Sequence, residues 1–165
     1  MYEANRIANK ILHACRRRGR AITPLQLVKL VYVGHGFSLA LHGRPLIDQS
    51  IEAWKYGPVV SKVYHAAKQW GRAPIMGDLA TLETDFGFKY PMDIDSESNH
   101  IVEQVAERWG HLSGGALSSW THRSDSPWAK VYRDGMTGII IPDPLIKAYF
   151  ERAVQVSKER TAASA

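Results

Sequence analysis

Apolar residues recur at spacings of three and four near the start of the chain, at Ala4, Ile7, Ala8, Ile11, Leu12 and Cys15. That period predicts an amphipathic helix. Asn5, Arg6, Asn9 and Lys10 fill its other face, and Gly19 is a plausible stop. A second helix has the clearest start signal: Thr23 as cap, Pro24 at the first helical position and Gln26 completing a capping box. Its residues Leu27, Leu30, Val31, Phe37 and Leu41 make it apolar on more than one face, which predicts that residues 25–41 form the most buried helix. Gly34 and Gly36 lie inside it, a cost that close passage of another backbone would explain. Gly43 ends it, and Arg44-Pro45 prevents continuation.

The period then changes to two. Ile51–Tyr56 alternates and carries Trp54 and Tyr56, which predicts a short strand ended by Gly57 and Pro58. Pro58 is read as the first turn of a third helix, with Val60, Val63, Tyr64 and Ala67 on one face and a stop at Trp70-Gly71. Residues 71–95 are irregular and acidic, and a short helix is expected near Asp78–Thr84. Ser96 is read as the cap of a helix to Trp109. Ser113 caps a short helix through Trp120, and Ser126-Pro127 opens another from Trp128 to Arg133. Gly138–Ile141 is a second strand candidate. Asp143-Pro144 starts the last helix, with Leu145, Ile146, Tyr149, Phe150 and Ala153 as its apolar face. The tail SKERTAASA has no apolar periodicity and is expected to fray. Neither strand is long enough to be stable alone. Pairing them with each other gives a mainly α (α+β) fold, a compact helical domain of five or more helices with a small two-stranded antiparallel β element.

Composition narrows the class without naming a function. The chain has 165 residues, consistent with one domain, and its single cysteine rules out an internal disulfide and any Cys-rich zinc site. No apolar run reaches the roughly 18 residues of a membrane span, and no apolar signal core follows the N-terminus. A soluble protein of a reducing compartment is expected. The 21 Lys+Arg against 16 Asp+Glu leave a net charge of +5. The only dense basic patch is Arg16, Arg17, Arg18 and Arg20. It lacks interleaved aromatics, and a solvated helix end explains it through the macrodipole.

Candidate chemistry is sparse. The seven histidines form no HExxH pair or Cys/His knuckle, and His35 and His42, seven apart, are spaced wider than helical zinc ligands. Cys15 lies on an apolar helix face, although the neighbouring arginines could lower its thiol pKa. Ser118, Ser119, His122, Ser124 and Asp125 cluster in sequence, but a triad is a matter of geometry, and no G-x-S-x-G elbow or phosphate loop exists. No catalytic residue, metal or cofactor is expected. The cluster WKYGP, Trp54 to Pro58, is different: two amphipathic rings and a lysine in a turn suit an interface. Inward packing of Trp54 to lock the strand is the competing account.

Residues 25–66, LQLVKLVYVGHGFSLALHGRPLIDQSIEAWKYGPVVSKVYHA, resemble the Panacea domain, the SocA-like antitoxin group. The C-terminal part, Leu117 to Phe150, is similar as well, through L-S-x-x-T-H, S-P-W and I-P-D-x-L-I-x-x-Y-F. The resemblance covers roughly residues 3–152, with 153–165 as the end of the last helix and a frayed tail, so no separate DNA-binding domain is expected. It implies a cytoplasmic, non-enzymatic antitoxin of a bacterial or prophage module. Its partner would be a cognate protein toxin, blocked directly or delivered to a cytoplasmic protease. Two alternatives stay open: a phage-encoded inhibitor of a host defence enzyme, and a DNA-binding regulator. The family motifs supply two turns that precede helices. Lys55, Tyr56 and Gly57 form one; Thr121, His122, Ser126 and Trp128 form the other. Both are expected to lie near each other as part of the partner site.

Overall fold

Thr23 caps the central helix as its sequence requires: its hydroxyl accepts from the Gln26 N–H, and the Gln26 side chain accepts from the Thr23 N–H. From that cap, helix α2 runs Pro24–His42 and ends at Gly43 in a left-handed conformation. The computed structural model describes residues 1–81 and 93–164. Around α2 are α1 (Ala4–Arg17), α3 (Ser61–Ala67, followed by a 3₁₀ turn Lys68–Trp70), α4 (Ser96–Arg108), α5 (Gly114–Thr121), α6 (Pro127–Val131) and α7 (Asp143–Ala163). Helix α2 packs on α1, α3, α4, α5 and α7, which explains why it is apolar on every side. Among the described residues the fold is mainly helical with one small two-stranded antiparallel sheet. No helix among the described residues is long and apolar enough to cross a membrane.

Gly36 has a reason other than backbone passage. A Cβ there would sit 2.3 Å from the Phe150 ring of α7, so glycine makes room for an aromatic side chain. Phe150 is fully buried and meets Tyr32, Phe37 and Trp120 edge-on, at centroid distances of 5.6, 5.1 and 5.7 Å. Gly34 faces the other way, where a Cβ would touch Leu46 at 3.3 Å.

The sheet differs from the expected one. Strand β1 (Glu52–Trp54) pairs with β2 (Gly57–Val59) as a hairpin, in the register Glu52↔Val59, Ala53↔Pro58 and Trp54↔Gly57. Gly57 and Pro58 therefore continue the β structure and do not open a helix. The Lys55-Tyr56 turn has no positive φ; Gly57 takes φ +103°, which a side chain would strain. Pro58 is tolerated because β2 is an edge strand, where a missing N–H breaks no ladder. The Gly138–Ile141 segment does reach β1, as a single bridge. Ile140 lies opposite Glu52, the Ala53 N–H donates to the Ile139 carbonyl, and the Ile141 N–H donates to the Ile51 carbonyl, both at 2.8 Å.

Other boundaries shift for local reasons. Asp95, not Ser96, caps α4, accepting from the Ser98 N–H at 2.8 Å. That bond from the Ser98 N–H, foremost, holds the Asp95 carboxyl well below the usual carboxylate range. Helix α6 stops at Val131, short of Arg133. Helix α7 continues to Ala163, through the segment expected to fray, with nothing buried after Phe150. Its composition there, rich in Ala, Glu, Arg and Lys, favours helix without tertiary support. Of the helix expected near Asp78–Thr84, residues 78–81 are not helical and the rest lies outside the described residues.

Asn5 and Asn9, assigned to the polar face of α1, are buried. Asn9 exchanges two hydrogen bonds with the Leu79 main chain, at 2.8 and 2.9 Å, and Asn5 donates to the Ala80 carbonyl at 2.7 Å. These amides satisfy an irregular stretch that has no ladder of its own.

Candidate partner-binding surface

The two predicted turns meet in space. The Trp128 indole N–H donates to the Trp54 carbonyl at 2.7 Å, and His122 Nε2 lies 3.3 Å from the Lys55 carbonyl. His122 Nδ1 is 2.6 Å from the Ser118 carbonyl of its own helix. The Trp128 ring lies 4.0 Å from His122 and stacks on Tyr132 at 4.5 Å with a 17° interplanar angle. One corner therefore carries the hairpin tip on one side and the α5–α6 connection on the other.

Candidate residues divide by exposure. Lys55 and Tyr56 are exposed, with Tyr56 at 69%; His122 and Trp128 are half-buried; Gly57 and Ser126 are buried. Ser126 caps α6, its hydroxyl accepting from the Ala129 N–H at 3.2 Å. Trp54 is half-buried, donates to Glu52 at 2.8 Å and packs edge-on against Tyr64 at 4.9 Å, so it does lean on the fold. Thr121 is buried, with its hydroxyl bonded to the Ser118 carbonyl at 2.8 Å.

Lys29 is the residue that sequence reasoning missed. It lies on α2, fully buried, and its Nζ donates to the Tyr56 carbonyl at 2.6 Å and the Pro58 carbonyl at 3.0 Å. Burial pushes its pKa down from 10.5 to about 7. A Cβ on Gly57 would lie 2.6 Å from this Nζ and 2.7 Å from Thr121 Oγ1, so only glycine lets the hairpin come this close. The signal was present: one lysine set between Val28 and Leu30 in a helix with no polar face has nowhere to go but inward.

Beside the hairpin lies a groove of about 430 Å³ lined by Leu25, Val28, Trp54, Tyr56 and Tyr64, with Lys55 and Lys68 at its edge. None of its described lining residues is acidic. Three of these apolar side chains, Leu25, Tyr56 and Tyr64, are among the exposed large hydrophobics of the chain. This combination suits an apolar segment with carboxylates.

The other candidates are accounted for locally. Arg16 pairs with Asp78 and donates to the Ile75 and Gly77 carbonyls; Arg17 and Arg18 pair with Glu103; Arg20 donates to the Ala106 and Glu107 carbonyls. The basic patch is thus tied to this chain's own acceptors. His35 is buried, with Nε2 3.0 Å from Asp143, and the hydrogen bond holds that carboxyl below its ordinary pKa. No group of three or more His, Cys, Asp or Glu able to hold a metal occurs among the described residues. Cys15 is buried, and that burial outweighs Arg20 and Arg18 and pushes its thiol up to about 11. A thiol reagent at pH 8 is expected to leave Cys15 unmodified until denaturant is added; rapid labelling of the native protein would contradict its assigned burial.

Comparisons with known proteins bear on this corner. The family model described as "Antitoxin SocA-like, Panacea domain" matches residues 27–129, from α2 through the hairpin to Trp128 and α6. Antitoxin SocA of Caulobacter vibrioides (strain NA1000 / CB15N) is 31% identical over 154 residues, covering 90% of this chain and 82% of that protein. No solved structure gives a significant match.

Proposed function

This chain belongs to the SocA-like, Panacea-domain antitoxin family, and from that premise we propose that it neutralises a cognate protein toxin by direct binding through the hairpin corner. Its role is that of a cytoplasmic binding module, without catalysis. The observation that carries the reading is the contrast within one hairpin. Lys55 and Tyr56 point into solvent, while the backbone beneath them is held by Lys29 and Trp128. A tip fixed in this way loses little conformational freedom when a partner docks. Lys55, Lys68 and the exposed rings favour a toxin surface that offers carboxylates beside apolar side chains. Gly57 and Ser126 serve this site by shaping it, His122 and Trp128 by joining its two halves. Delivery of the captured toxin to a protease would use the same first contact.

The test is co-expression with the cognate toxin, together with affinity measured on the purified pair. Tyr56→Ala and Lys55→Glu are expected to weaken binding at least about tenfold and to abolish growth rescue. Their melting temperatures should stay at the wild-type value, because both side chains are exposed. Full rescue and unchanged affinity in both folded variants would place the toxin interface elsewhere.

A further inference from the structure

A second groove, of about 530 Å³, lies between α2, α4 and α7 and plays no part in the hairpin corner. Its floor is Phe37, Trp109 and Trp120, the last two with ring centroids 4.7 Å apart, and Leu41 stands at its edge with 49% of its surface exposed. Leu41 and Val28, which lines the hairpin groove, are separated by about 20 Å of α2 at 1.5 Å per residue. A molecule filling one groove therefore leaves the other open.

We propose that this groove docks an amphipathic helix of a partner protein, one whose apolar stripe is flanked by carboxylates. The α4 wall runs from His100 to Arg108. Two turns of helix cover that distance, about 12 Å, the length of an i, i+4, i+7 apolar stripe. The rim sets the charge. Arg108 and Lys158 line the groove from α4 and α7, and no described lining residue is acidic. Neither cation has an ion-pair partner among the described residues, whereas Arg16, Arg17, Arg18 and Arg44 all do. Unpaired cations beside an apolar trough are complementary to acidic flanks. A second copy of this chain is a poor occupant, since its net charge of +5 brings like charge to a cationic rim.

The probes are three short capped helical peptides, each labelled with fluorescein. One has a leucine stripe flanked by glutamates, one the same stripe flanked by lysines, and one the glutamates with the stripe replaced by alanine. Binding to the full chain is read by anisotropy. The glutamate-flanked leucine peptide is expected to bind at least about tenfold tighter than the other two. Leu41→Glu should remove that binding, and Arg108→Glu with Lys158→Glu should reverse the preference toward the lysine-flanked peptide. Thermal melts verify that these surface variants fold, and Tyr56→Ala should bind the peptide as the wild type does, which keeps this result independent of the toxin interface. Equal binding of the two charged peptides, binding that survives Leu41→Glu in a folded variant, or no binding of any peptide would overturn the proposal. So would a concentration-dependent dimer in sedimentation velocity that Leu41→Glu abolishes, because the occupant would then be a second copy.

Discussion

Phe150→Ala is expected to cost about 3–5 kcal/mol of stability, read from urea unfolding at neutral pH. The ring is fully buried and joins α7 to α2 through Tyr32 and Phe37. Its removal deletes those contacts and leaves a cavity beside Gly36, which has no side chain to fill it. Gly36→Ala in the wild-type background should cost about 1–3 kcal/mol despite alanine's better helix propensity, because the new methyl falls 2.3 Å from the ring. In the Phe150→Ala background the same substitution should become neutral or stabilising. A double-mutant cycle measures the difference. Additive effects, with Gly36→Ala equally costly in both backgrounds, would show that Phe150 is not what requires the glycine.

Stability is expected to rise by about 2 kcal/mol between pH 7 and pH 9 on account of Lys29. In the unfolded chain its ammonium keeps its proton up to about pH 10.5; in the folded chain burial lets it go near 7. Across that interval the unfolded state binds more protons, so each pH unit adds up to about 1.4 kcal/mol in favour of folding. Below pH 7 both states are protonated and the cost of the buried charge is fully present. The window closes near pH 9, where Cys15 acts in the opposite sense: its thiol ionises in the unfolded chain at 9.0 and in the folded chain only at about 11. Denaturation midpoints at pH 7, 8 and 9 test this, with Lys29→Met as the control. The variant should lose the slope. A slope shared by wild type and variant would mean that another group titrates.

Signals that act within a few residues of one another were legible in the sequence. The Thr23–Gln26 box and the caps at Ser113 and Ser126 are local hydrogen bonds, and each fell where the residue types placed it. What escaped depends on partners far along the chain. Asn9 binds Leu79, 70 positions away, and nothing in an amphipathic pattern separates such an amide from a solvated one. Lys29 was hidden by the convention that lysine faces water. The hairpin was misread because Gly57-Pro58 is a terminator in most contexts and an edge strand in this one. Of the candidate surface, the composition of the two turns was visible; that Trp128 clasps the Trp54 carbonyl, and that the hairpin rests on a buried ammonium, required the fold.

Asn5 and Asn9 grip the stretch beside α1 by its peptide groups alone. A helix that recognises main chain is indifferent to most of the side chains presented to it, so substitution at the exposed positions of this stretch should leave the path of the chain unchanged. Asp78, which pairs with Arg16, and the buried Thr81 are held to type together with Ile75 and Leu79, whose side chains enter the core. Met76, 82% exposed between them, is consequently a natural place to splice in a foreign epitope or a fluorophore attachment site without unseating the segment.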